Sequence, residues 1–292
     1  MKIPVSFLML TYNEEINLRV SLPLLTDWAD DIVIVDSFST DKTLEIAGRF
    51  GAHVYPHAFE SHASQWLWAM QKIEFKYHWI FMHDPDHAVT PELKQELDQV
   101  FASEVDESVD GFYVKRRNIF RGQWIKHGGY YPKYMLKIVR RGKVFFDKNE
   151  FDYRAYVPGK KLKLKHDIIE DNLKEHDISF WIEKHNRFAA RQAEEEILRM
   201  NGHAAWSVKP AFFGTPDQRT LWLKVVWYKM PLYLRPFIYF FYRYLLCLGF
   251  LDGKQGFIFH FLQGFWYRLL VDIKLDDLKK GGFRFHQSRS KS

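Results

Sequence analysis

Val5-Ser-Phe-Leu-Met-Leu-Thr-Tyr-Asn-Glu-Glu15 joins a short apolar run to a polar cluster. An apolar run of this length, ending in residues that turn or cap, predicts a buried strand feeding a helix. Asn13 stands at the cap position, and Ile16, Leu18, Val20, Leu22 and Leu25 supply the apolar positions of the helix. The same alternation continues outward. Asp31-Ile-Val-Ile-Val-Asp36 reads as a second strand, Lys42 to Phe50 as a helix and Ala52 to Tyr55 as a third strand. Ser61 to Phe75 reads as a helix, His78-Trp-Ile-Phe-Met-His83 as a fourth strand, and Pro91 to Phe101 as a helix with proline in its first turn. This order predicts an α/β fold with a mostly parallel central sheet and helices on both faces.

Beyond Gly111 the pattern changes to strands between glycine-rich turns: Phe112 to Phe120, Lys133 to Arg140 and Val144 to Phe146. This half reads as a mixed or antiparallel extension of the sheet. Ile178 to Met200 is helical with a charged face, and residues 201–220 read as a linker. Trp222 to Leu251 and Phe257 to Lys274 are helical, broken at Pro231, Pro236 and Gly253. The expected organisation is an α/β domain over 1–175, a helix and linker over 176–218, and a helical C-terminal extension over 219–292.

The 292 residues, 47% hydrophobic and 27% charged, exclude a disordered chain, a collagen and a disulfide scaffold. Cys247, the single cysteine, has no intramolecular partner, and Ile3 to Leu10 is too short for a signal peptide, so a cytoplasmic protein is expected. The net charge of +6 is unevenly placed: Arg219 to Ser292 carries 13 basic against 4 acidic residues, or +9, and the preceding chain 29 against 32, or −3. The same segment holds 19 of the 51 aromatic residues. Nucleic-acid binding calls for cations spaced to meet phosphates and aromatics free to stack. Here single charges interrupt dense apolar runs such as Pro236-Phe-Ile-Tyr-Phe-Phe-Tyr242, so a peripheral anchor on an anionic membrane surface is expected and nucleic acid is not. Self-association through the aromatic face is the alternative. The longest charge-free apolar stretch here, Gln255 to Tyr267, is about 13 residues. Spanning a bilayer takes roughly 18 to 20.

In a parallel α/β sheet, ligands bind at the carboxyl ends of the strands. Three polar clusters fall there: Thr11 to Glu15, Asp36-Ser37-Phe38-Ser39-Thr40-Asp41, and Asp84-Pro85-Asp86-His87. One such cluster is readily explained by helix capping; three on one edge point to a site. The Asp84-x-Asp86 pair can offer one carboxylate to a hard divalent cation and the other to a ribose or a bound water.

The order T-Y-N-E-E, V-D-S-x-S-T-D-x-T and W-I-x-x-x-D-x-D resembles the family-2 inverting glycosyltransferases of GT-A fold, over roughly residues 1–175. More loosely, Tyr131 to Gly142, Leu162 to Asn172 and the tail motifs resemble the branch that builds bacterial lipopolysaccharide cores and exopolysaccharides. The resemblance implies a nucleotide-sugar site at Thr11, Tyr12, Asn13, Glu14, Asp36, Ser39 and Asp84, and Mg²⁺ or Mn²⁺ at Asp86. It implies a nucleotide-diphospho-sugar donor, UDP-linked, and a glycan or lipid-linked glycan acceptor at the inner face of the cytoplasmic membrane. A general base is required to deprotonate the acceptor hydroxyl; Asp152 aligns with the family's carboxylate, with Glu150 the runner-up.

The chain departs from the family pattern in two places. His87 stands where relatives carry a carboxylate, either as a metal ligand or facing solvent. His62 to Met70 lacks the Lys or Arg common in relatives, which places phosphate neutralisation on the metal or on Lys115, Arg116, Arg117 or Lys126. His166, Asp167, Glu170, Asp171, His176 and His185 match no compact metal spacing and read as caps and ion pairs at a helix entry. Trp124, His127, Tyr130 and Tyr131 read equally as an acceptor platform or as core. A processive synthase is disfavoured by the missing Q-x-x-R-W motif, and a nucleotidyltransferase by the missing glycine-rich loop. A catalytically silent sugar- or lipid-binding relative is the remaining alternative.

Overall fold

The computed structural model describes residues 2–146, 154–201 and 208–281. They fall into two units, Met1–Phe180 and Trp181–Ser292.

The first unit begins with β1 (Ser6–Thr11), α1 (Glu15–Ser21), α2 (Pro23–Thr26), β2 (Ile32–Asp36), α3 (Thr43–Arg49), β3 (His53–Pro56), α4 (His62–Lys72), β4 (Trp79–Met82), β5 (His87–Val89) and α5 (Pro91–Val100). It continues with β6 (Val109–Phe120), β7 (Gln123–Ile125), β8 (Lys133–Arg140), β9 (Phe145–Phe146), β10 (Ala155–Tyr156) and β11 (Lys160–Glu170). Among the described residues one sheet runs β3-β2-β1-β4-β8-β6-β11-β5, with β7 paired to β6, and β9 and β10 form a separate ribbon.

The expected parallel arrangement holds for β3, β2, β1 and β4. From β8 onward the sheet alternates: β8 is antiparallel to both β4 and β6, β11 is parallel to β6, and β5 is antiparallel to β11. The sheet is therefore mixed rather than mostly parallel. Two elements read otherwise from sequence explain the difference. Lys160–Glu170, read in its later part as a helix entry, is a long strand, and the three-residue β5 just after Asp86 closes the edge beside it.

Strands buried on both faces need apolar side chains at every position, which is why β1, β2 and β4 read as unbroken runs. Alternate residues serve opposite layers. Phe7, Met9, Ile32 and Ile34 pack with Leu18, Leu22, Ile46, Leu93 and Leu97 of the helices on one face. Leu8, Val33, Val35, Ile80 and Met82 pack with Ala63, Trp66 and Ala69 of α4 on the other. Local sequence sets the helix starts. Ser61 and Ser64 form a capping box on α4, and Thr90 accepts from Leu93 N ahead of Pro91 in α5. The first helical pattern breaks at Leu22, where Pro23 begins α2.

The second unit holds most of α6 (Ile178–Met200), then α7 (Pro216–Lys229), α8 (Arg235–Phe241), α9 (Gly253–Phe259) and α10 (Tyr267–Lys280), with π-helical turns at Tyr242–Leu246 and His260–Trp266. Ala189, Ala193 and Ile197 of α6 pack on Tyr267, Val271 and Leu275 of α10, each set at four-residue spacing. α7 opens inside the segment read as linker, with a capping box between Thr215 and Gln218.

Candidate active site

The carboxyl ends of β1 and β2 are tied into one hydrogen-bonded loop pair. Thr11 Oγ1 donates to Asp36 Oδ1 at 2.7 Å, and Ser39 donates to the same carboxylate through its Oγ at 2.6 Å and its N–H at 2.8 Å. Asn13 is not the helix cap. It lies in the left-handed region at φ 52°, its N–H donates to Ser39 Oγ, and its Oδ1 accepts from Thr40 N, both at 2.8 Å. Glu14 N donates to Thr43 Oγ1 at 2.7 Å, and the Glu14 carboxylate accepts from Asn17 Nδ2 and from Lys174 Nζ. Asp41 accepts from Glu15 N and from Thr43; burial opposes its ionisation, but those hydrogen bonds hold its carboxyl below the usual range.

Thr11 and Asp36 are thus buried and turned onto loop partners. The large apolar side chains that this pair of loops offers to solvent are aromatic: Tyr12 is 59% and Phe38 61% exposed. Phe38, like Asn13, has a positive φ, at 59°. Non-glycine residues held in that region store strain and cluster at functional sites.

After β4, the loop carrying Asp84 and Asp86 folds back so that His87 begins β5 almost fully buried. His87 Nε2 lies 3.3 Å from Asp84 Oδ2, 3.3 Å from Glu170 Oε2 and 4.0 Å from Asp86 Oδ1. It faces carboxylates, not solvent. Lys137, inside the apolar run of β8, brings Nζ to 2.5 Å from Asp84 Oδ2, and Arg116 of β6 pairs with Glu170. Burial opposes ionisation of Asp84, but the Lys137 ammonium outweighs it and holds the carboxyl at about 2. Burial also opposes ionisation of Glu170, yet Arg116 and His87 hold it well below the usual carboxylate range. Behind them His83 sits edge-on to Phe7 and Phe81, and burial, reinforced by His87, pushes it down to about 3.

Oxygen atoms of Asp84, Asp86 and Glu170 around one imidazole are the donor type that Mg²⁺ and Mn²⁺ take, so the donor chemistry fits such an ion. Among the described residues, no three His, Cys, Asp or Glu side chains stand in the arrangement of a metal centre. Asp152 and Glu150 lie outside the described residues.

Sequence reading missed Lys137 and its pairing with Asp84. The signal was a lysine inside Met135-Leu-Lys-Ile-Val139, since a buried ammonium demands a carboxylate. The basic residues of β6 are engaged within the protein: Lys115 and Arg117 pair with the buried Asp167, which also accepts from the Tyr131 hydroxyl at 3.1 Å. Trp124 stands edge-on to Tyr131 with the Arg117 guanidinium 5.0 Å from its ring, all partly buried. His176 pairs with Asp171 at 2.7 Å, and in the second unit His185 stacks on Trp181.

The chain is 30% identical over 111 residues to an uncharacterized glycosyltransferase of Rickettsia bellii, covering 38% of this chain and 37% of that protein. It is 26% identical over 118 residues to an uncharacterized glycosyltransferase of Rickettsia typhi, covering 40% of each. The matches therefore span about two fifths of these curated relatives. Among solved structures, Mycobacterium tuberculosis glucosyl-3-phosphoglycerate synthase in complex with Mn²⁺, UDP and glucosyl-3-phosphoglycerate is similar at 17% identity. Its TM-score is 0.32, over 40% of this chain and 44% of that one. Staphylococcus aureus TarS (1–349) is similar at 14% identity and TM-score 0.37, over 98% and 93%. The model of glycosyl transferase family 2 matches residues 6–158, just over half of the chain, and the chain belongs to that family.

Proposed function

We propose that the chain is an inverting glycosyltransferase that moves a sugar from a UDP-linked donor to a lipid-linked or lipopolysaccharide-type glycan in bacterial cell-surface polysaccharide assembly. The observation that carries the reading is the convergence of polar loops beside β1, β2 and β4, with two exposed aromatic rings at their rim. Thr11, Asn13, Asp36 and Ser39 fix the loop backbone through the hydrogen bonds described above. Tyr12 and Phe38 are then the side chains free to take the flat face of a base. Glu14 and Asp84 supply the remaining polar contacts of the nucleotide, Asp84 toward its ribose.

Asp86, with His87, would hold Mg²⁺ or Mn²⁺, which when bound supplies positive charge for the diphosphate leaving group. The acceptor hydroxyl attacks the anomeric carbon from the face opposite the diphosphate. Its oxygen–carbon bond forms as the bond to the diphosphate breaks, and Asp152, or Glu150, accepts the proton. The cationic aromatic segment 219–292 places the enzyme on the anionic inner face of the cytoplasmic membrane, where such acceptors reside.

Calorimetric titration with UDP tests the donor site. Affinity should rise when Mn²⁺ is added, and Asp86→Ala should abolish that rise while leaving the metal-free affinity. Absence of UDP binding under both conditions overturns the proposal.

A further inference from the structure

Residues 234–251 of the second unit invert the usual polarity of a water-soluble protein. Arg235, Glu196 and Asp272 are all fully buried. Arg235 Nε donates to Asp272 Oδ1 at 2.7 Å and its Nη1 to Glu196 Oε1 at 2.6 Å, while Asp272 Oδ2 accepts from Tyr233 N at 2.8 Å. Arg243 donates to the Tyr239 hydroxyl at 2.6 Å, and Arg268 lies 5.3 Å from the same ring. The charges thus lie inside. The outward face of the same helix is apolar: Leu234, Phe237, Ile238, Phe241, Leu245 and Leu246 are all exposed, Leu246 by 76%. Their three- and four-residue spacing makes one continuous stripe. Buried charge beneath a large exposed apolar patch is the informative departure from a water-facing surface. It is the arrangement that hydrocarbon selects, because ionised groups there turn inward and pair.

The backbone makes a hairpin of this face. Arg235–Leu246 and Gly249–Lys280 are bent by 73° at the intervening residues, where Leu248 takes φ 60°. The arms are stitched by rings: Phe237 meets Phe265 at 4.7 Å and Tyr244 meets Phe257 at 5.7 Å. The elbow is tight, since a Cβ on Gly249 would stand 2.5 Å from His260 Nε2. The elbow adds exposed Leu248, Phe250 and Leu251, and between Arg243 and Lys254 the sole Asp, Glu, Lys or Arg is Asp252, itself buried. No single described helix is long and apolar enough to cross a membrane. The first arm, Arg235–Leu246, would run about 18 Å at helical rise, somewhat more than half of a roughly 30 Å hydrocarbon core, so it fits one leaflet when tilted.

We infer that residues 234–265 form a re-entrant hairpin that sits in the hydrocarbon of one leaflet of an anionic bilayer, rather than adsorbing at its surface. The inference rests on the membrane reading of residues 219–292 and deepens it. The occupant follows from charge complementarity. The segment carries +9, and Arg219, Lys229, Lys279 and Lys280 are exposed outside the hairpin, where anionic headgroups would meet them. Within residues 234–265, Lys254 is the single exposed Asp, Glu, Lys or Arg.

Cys247, the single cysteine, lies at the elbow and offers a probe in the full-length protein. It would be labelled with a polarity-sensitive fluorophore and mixed with vesicles of phosphatidylcholine and phosphatidylglycerol, with co-flotation measured in parallel. A second probe is Leu246→Cys in a Cys247→Ser background. Insertion predicts flotation that persists in 1 M salt (a Debye length of about 3 Å), a blue-shifted emission at both positions, and quenching by lipids spin-labelled on the acyl chain. Flotation with both probes in water overturns the hairpin insertion and leaves the membrane reading standing. Failure to float overturns both, and a blue-shifted probe without vesicles in a dimeric protein assigns the face to a second copy of the chain.

Discussion

Lys137 Nζ stands 2.5 Å from Asp84 Oδ2, so a lysine buried in the middle of β8 is neutralised by the first carboxylate of the D-x-D loop. The pair ties the candidate donor loop to the sheet and keeps Asp84 ionised far into acid.

Lys137→Met therefore destabilises the first unit in a pH-dependent way. The folded Asp84 carboxyl titrates at about 2 against an ordinary 3.8. Its contribution is present above pH 3.8 and is lost as pH falls toward 2. Because Asp84 is 34% exposed, solvent screening reduces that contribution to about 1 kcal/mol. Urea denaturation should show the variant weaker by about that amount at pH 7, with the difference shrinking below pH 3.8. Equal stability at pH 7 would show the pair to be idle.

His83 gives a slope over a different window. It titrates at about 3 when folded and near 6.5 when unfolded. Between those values the unfolded chain binds the extra proton, so stability falls on acidification by up to about 1.4 kcal/mol per pH unit. His83→Phe, which keeps a ring against Phe7 and Phe81, should flatten denaturation midpoints measured from pH 7 to 4.5. An unchanged slope would place the titrating group elsewhere.

Tyr12→Ala and Phe38→Ala should each weaken UDP binding about tenfold, since stacking of a base on an aromatic ring contributes about 1–3 kcal/mol. Both rings are exposed, so the thermal midpoint should stay in place. Calorimetry and thermal unfolding on the same samples separate the two effects; undiminished affinity in both variants rejects the stacking role.

Asp152→Asn should lower turnover by at least about a hundredfold, the lower range of general-base contributions, while UDP affinity is retained. Sugar transfer and UDP titration measured together check this. If turnover survives, Glu150→Gln is the variant expected to remove it.

Gly159→Ala tests the packing that holds the start of β11. An added Cβ would stand 2.4 Å from Asp110 Oδ2 and 2.9 Å from Ser108 O, and Asp110 now accepts from Gly159 N at 2.8 Å. Displacing Asp110 should lower stability by about 1–3 kcal/mol, read as a reduced thermal midpoint with nucleotide affinity unchanged.

The parallel half of the sheet was legible because buried parallel strands leave unbroken apolar runs, and β1, β2 and β4 are such runs. The three polar clusters were legible for the same reason, since the strand ends locate them. β11 was not. Lys160-Lys-Leu-Lys-Leu-Lys-His-Asp-Ile-Ile-Glu170 is rich in charge, and the partners of Asp167 and Glu170 are Lys115, Arg117 and Arg116 on β6, too distant in the chain for any local pattern to encode.

Sequence alone determined the family motifs, the parallel strands and the gathering of cations and aromatics after Arg219. Tertiary structure decided what those residues face. Asn13, a cap by local pattern, is drawn into the left-handed region by Ser39 and Thr40 across the loop pair, and His87, open by local pattern to a metal or to solvent, faces three carboxylates once β5 closes beside β11. In the second unit, composition is silent on whether arginine or phenylalanine lies outward. The Arg235–Asp272–Glu196 cluster keeps the charges inside and leaves the apolar stripe outside, because a buried charge persists where opposite charge meets it.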